Sequence, residues 1–160
     1  MAPVQELIDT WAAVYSNSAA LRSAIAFAHI GGLVSGGGCA VAADLATLRA
    51  FRRGREAVAV EAARLHDVHR IVIASLILVI ASGVLLMLAD LEAYFVSTTF
   101  WLKMAAVVAL AVNGAVLMKS GDRAAHTRDA DPGGLRLASV ASLALWSATT
   151  LLGATLPNVL

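Results

Sequence analysis

The sequence predicts an all-α integral membrane protein: an up-down four-helix bundle preceded by an amphipathic interfacial helix. Of its 160 residues, 59% are hydrophobic and only 14% charged. Its mean hydropathy of +0.78 exceeds what a short soluble domain can hide, because small domains bury only about 60 to 70% of their chain surface. Charges are missing from four long stretches, residues 23–43, 71–89, 104–118 and 137–160. Of the 12 Lys and Arg residues, all but Arg22 and Lys103 fall between the first and second stretch or between the third and fourth. Residues 1–18 are accordingly read as a surface helix and 19–160 as the transmembrane domain, with spans over about 22–45, 69–90, 100–119 and 135–157.

In the first segment Val4, Leu7, Ile8, Trp11, Val14 and Tyr15 recur at helical spacing, with Glu6, Asp9 and Thr10 between them and Pro3 suited to the first turn. Such a helix lies on the membrane surface or packs as a leader on the bundle. It is acidic where a secretory signal is basic, and its apolar residues are spread out, so it is expected to be retained.

The first span, 22–45, holds AFAHIGGLVSGGGCAVAADL, with His29 inside an apolar run. A polar group without a hydrogen-bond partner costs about 2 to 7 kcal/mol in hydrocarbon, so something should offset it. Gly32, Gly36 and Ala40 follow at offsets of three, seven and eleven, which puts them on the histidine's face of the helix, within about 60°. A face without bulk permits a close helix crossing, the imidazole bonding a neighbouring Ser or carbonyl. It equally permits a flat porphyrin or other ligand beside the ring. The single cysteine, Cys39, excludes an internal disulfide and a CxxC metal site.

After a break near Gly54, HDVHR places His66 and His69 one turn apart at the start of the second span, 69–90. The connection 90–99, DLEAYFVSTT, is short and semi-apolar and should lie on the membrane face. The third span, 100–119, crosses if Lys103 snorkels and Phe100 and Trp101 form an aromatic belt. By residue count Met104 lies about one turn shallower than His29 and Asn113 about one turn deeper. Beyond the span, KSGDRAAHTRDAD carries His126, and DPGG at 131–134 breaks the chain before the fourth span, 135–157. His66, His69 and His126, with Asp67, can converge as a transition-metal site on the basic side, or they can face water and phosphate headgroups.

The net charge of +1 gives no nucleic-acid signature. The scattered serines have no partnered base, so nucleophilic catalysis has no support. SGGG lies within a span and is not a phosphate loop. The lipid bilayer is the expected partner, and the basic connections should face the cytoplasm with both termini outside.

An AH followed by GG in the first span, ASGVLLMLAD closing the second, FWLKM opening the third with Asn113 further along, and RLASVASLALW opening the fourth resemble the copper-resistance D-like membrane proteins and related four-helix families. The resemblance covers roughly residues 20–156, with His29, Gly32, Lys103 and Asn113 at matching positions. The chain departs from the group in lacking a tryptophan just after the first-span histidine and a further histidine deep in a later span. The resemblance implies a bacterial-type inner membrane and a redox-metal role, with b-type haem or copper held in the bundle for electron transfer or metal passage. His29, Gly32, Gly36, Asn113 and Met104 would then bind the cofactor, and His29, His66, His69 and His126 would be the metal ligands. The competing expectation is a noncatalytic accessory or assembly subunit of a larger membrane complex, whose small-residue face packs on a partner membrane subunit or a second copy.

Overall fold

The computed structural model describes residues 2–126 and 133–159, and the regular structure among them is all helical. The elements are α1 (Ala2–Asn17), α2 (Ala19–Ala50), α3 (Arg55–Met87), α4 (Leu91–Val96), α5 (Thr98–His126) and α6 (Gly133–Thr155), followed by a 3₁₀ turn, Leu156–Asn158. Arg128, Asp131 and Pro132 lie outside the described residues, so of the expected DPGG break only the glycines are seen, opening α6. Four helices, α2, α3, α5 and α6 with its terminal turn, are long and apolar enough to cross a membrane. The chain is a multi-pass membrane protein.

Local chemistry sets the helix boundaries. Ser18 separates α1 from α2, and its hydroxyl accepts the Leu21 N–H at 3.3 Å, satisfying one free donor of the new helix. Gly54 turns the chain between α2 and α3 at φ +107°, a conformation that a side chain would strain. Asp90 caps α4 by accepting the Ala93 N–H at 3.4 Å.

Around the bundle α2 packs on α3, α3 on α5, α5 on α6 and α6 back on α2. This closed ring follows from short up-and-down connections. At 32 and 33 residues, α2 and α3 are each about 50 Å long, well beyond a hydrocarbon core of about 30 Å. The excess lies at the end carrying the basic connections. There Ala50, Val58, Ala62, Leu65 and Leu135 form a small core of their own. Along the middle of the bundle large apolar side chains such as Phe27, Val34, Ile77 and Val108 point outward, as a lipid-facing surface requires.

The sequence pattern of α1 divides between two surfaces. Ile8, Trp11, Ala12 and Tyr15 are half-buried, and the Trp11 ring N–H donates to the Leu85 carbonyl of α3 at 3.0 Å. Val4, Leu7 and Val14 stay exposed. At the same end Phe100 sits buried among Tyr94, Phe95 and Trp101, with ring centroids 5.4 to 6.3 Å apart.

Candidate functional site

His29 has its partner on α3: Nδ1 lies 3.0 Å from the Ser82 hydroxyl. Ser82 spends its own proton on the Leu78 carbonyl at 2.6 Å, so its oxygen is left to accept, and Nδ1 carries the imidazole proton. Nε2 therefore keeps its lone pair. Lys103 of α5 is within electrostatic reach of the ring, while its Nζ lies against Gly153 in the last turn of α6, where the carbonyl end of a helix favours a cation. His29→Ala should lower stability by about 1 to 2 kcal/mol, and His29→Gln, whose amide can still reach Ser82, should recover most of it. Chemical denaturation in mild detergent measures both, and equal losses would mean that the hydrogen bond is not what the ring contributes.

The glycine face is occupied by α3. A Cβ on Gly32 would lie 2.8 Å from a Val79 methyl and 3.1 Å from the Ser75 carbonyl, and one on Gly36 would lie 2.7 Å from the Ser75 Cβ. Close helix approach thus takes up the space a flat ligand would need beside His29. Asn113 likewise joins helices, its amide donating to the Ala138 carbonyl of α6 at 3.0 Å. Met104 is half-buried on α5, next to Lys103.

At the basic end the three histidines point to different surroundings. His66 and His126 share Asp122: the His66 ring lies 3.7 Å from its carboxylate, and His126 Nδ1 lies 3.0 Å from its backbone carbonyl. Both rings are exposed, whereas His69 turns inward and lines a cavity. Among the described residues no group of three or more His, Cys, Asp or Glu side chains is arranged to hold a metal ion.

That cavity lies among the four long helices and measures about 110 Å³. Its polar wall is made by residues that motif reading passed over. Asp44 of α2 is 1% exposed, and the Ser139 and Ser142 hydroxyls of α6 face its carboxylate. Among the described residues neither carboxylate oxygen meets a donor in good hydrogen-bonding geometry, and the fully buried hydroxyls of Thr47 and Ser139 meet no partner either. Trp146, buried one turn beyond Ser142, lines the same space, its ring edge held against Gly37 of α2. Among the described residues no Lys or Arg lines the cavity. A buried carboxylate is normally hydrogen-bonded or paired, so Asp44 is chemically unfinished.

One signal in the sequence pointed here. Asp44 lies four residues beyond Ala40, on the stripe that runs through His29, Gly32 and Gly36, and so on the inward face of the first span. Comparison of the chain with protein-family models, with curated proteins and with solved structures finds no match.

Proposed function

We propose that the protein handles a cation within its membrane domain, with Asp44 as the group that holds it. The observation behind this is a carboxylate only 1% exposed, faced by no more than the Ser139 and Ser142 hydroxyls and beside a cavity on whose walls, among the described residues, no Lys or Arg lies. An acidic side chain inside a membrane bundle is expensive and marks a pathway or binding site by default. Ser139 and Ser142 add neutral oxygens on the same side. The Arg-rich connections support a reading in which this end of the bundle faces the cytoplasm across a bacterial-type inner membrane, with both termini outside. The likeness of its motifs to copper-resistance D-like proteins points the same way, toward a cation as cargo.

Labelling with a hydrophobic carbodiimide, which reacts with protonated carboxyl groups in apolar surroundings, tests the reading. Mass spectrometry should find the adduct on Asp44, and the labelling rate should fall as pH rises or when a cation that occupies the site is added. Labelling at Asp44 that ignores both pH and every added cation would overturn it.

A redox-metal role, with haem b or copper on His29, is the second reading, favoured by the free Nε2 lone pair that the Ser82 bond leaves. The packed glycine face and the neighbouring Lys103 weigh against it. It would require further ligands from a partner subunit or a second copy. A Soret band or stoichiometric copper that disappears in His29→Gln would favour it over the Asp44 site.

A further inference from the structure

We propose that the cavity beside Asp44 binds a small organic ammonium ion, its cationic head on the carboxylate and its apolar body along the chamber. The inference rests on the reading of Asp44 as a cation-holding group and names the kind of cation. Three features of the chamber select it.

The first is the distribution of polar atoms. A bare metal cation wants oxygen ligands on several sides, six to eight for calcium and six for magnesium. Here the oxygens of Asp44 and Ser142 sit at one end, and apart from His69 the remaining walls are apolar, built from side chains such as Val72, Leu76 and Leu110. An ammonium group bearing an alkyl chain needs acceptors at one end only. The second is the size and character of the space. At about 110 Å³ it approaches the cavity of about 150 Å³ that admits benzene in another protein, which is room for a body of a few carbon atoms. Trp146 gives it an aromatic wall, a surface that attracts cations.

The third is the way in. Of the lining residues, Ile73 on α3 and Ala111 on α5 are exposed. Both are apolar and lie within the spans, so the lining reaches the lipid-facing surface on α3 and α5, and an entrance there would face lipid. A strongly hydrated ion cannot take that route at reasonable cost, whereas an amine can partition into the bilayer uncharged and recover its proton at Asp44. The proton comes from the carboxylic acid, leaving an ammonium–carboxylate pair, so charge and atoms balance without a further reactant.

The test is titration of the full chain in lipid nanodiscs with n-butylammonium, n-butanol and sodium, followed by tryptophan fluorescence, with Trp146→Phe identifying the signal. Butylammonium should bind more than about tenfold more tightly than butanol, and Asp44→Asn should remove that preference, as loss of a charge-assisted hydrogen bond requires. Ala111→Phe, at an exposed position where folding is not at stake, should slow butylammonium binding by narrowing the mouth. Equal binding of butanol and butylammonium, or equal binding by wild type and Asp44→Asn, would overturn the proposal. If butylammonium fails to bind while carbodiimide labelling of Asp44 still responds to pH or sodium, the organic ligand is wrong and the cation site stands. If labelling is also unresponsive, both fall.

Discussion

Gly36→Leu is expected to destabilise the bundle by about 3 kcal/mol or more, at the upper end of overpacking effects or beyond. The reason is where the new side chain would start. Its Cβ would lie 2.7 Å from the Cβ of Ser75, an atom fixed to the α3 backbone rather than the free end of a flexible chain. Relief requires α2 and α3 to move apart, and the same seam holds the Ser35–Ser75 hydroxyl contact at 3.3 Å and the His29–Ser82 bond at 3.0 Å. In a membrane, where lipid tails are as apolar as the helices, such packing and hydrogen bonds drive helix association. Gly38→Leu is the matched control, two residues away on the same helix, where a Cβ meets nothing within 4 Å. It should be neutral or slightly stabilising, since leucine favours a helix over glycine by up to about 1 kcal/mol. Unfolding curves in mild detergent separate the two, and similar stabilities would show that α2 and α3 are not packed at the distance described.

Asp44→Asn should raise stability by about 1 to 2 kcal/mol while abolishing cation binding at the site. Burying a polar group without a partner costs about 1 to 3 kcal/mol, and more when it is charged. Asp44 is 1% exposed and, among the described residues, is faced by the Ser139 and Ser142 hydroxyls without reaching either in good hydrogen-bonding geometry. At a pH where the carboxyl is ionised the amide removes a buried charge at nearly constant volume, so there the protein loses a cost and keeps the neighbouring hydroxyls. Thr47→Val, which replaces a fully buried hydroxyl that also lacks a partner by a methyl of similar size, should be neutral to stabilising for the same reason. A gain in stability paired with loss of binding is the signature of a residue kept for function. A drop of comparable size in Asp44→Asn would instead make Asp44 a structural residue with a partner of its own.

The sequence by itself determined the number of long helices, the all-helical class, the basic end of the bundle and the small-residue stripe on the first span. Each follows from chemistry local to the chain: uncharged runs long enough to span, loops rich in Arg, and side chains repeating at the helical period. A serine as partner for His29 was also legible as one of two alternatives, because an imidazole in that run had to be offset by something. Which serine, and on which helix, was not.

Only the tertiary structure decided what each stripe meets. Val79 and Ser75 fill the glycine face, Asn113 reaches the Ala138 carbonyl, and His69 parts from His66 and His126 to line the cavity. Asp44 illustrates the difference most directly. Read along the chain it is only the charge that ends the first uncharged run. Packed against α6 it is nearly sealed, opposite Ser139 and Ser142, almost a hundred residues away in sequence. Periodicity fixes the face on which a residue lies but not the neighbour that covers it. In a membrane the ambiguity is sharper than in water, because lipid and protein interior are equally apolar and hydrophobicity no longer tells inside from outside.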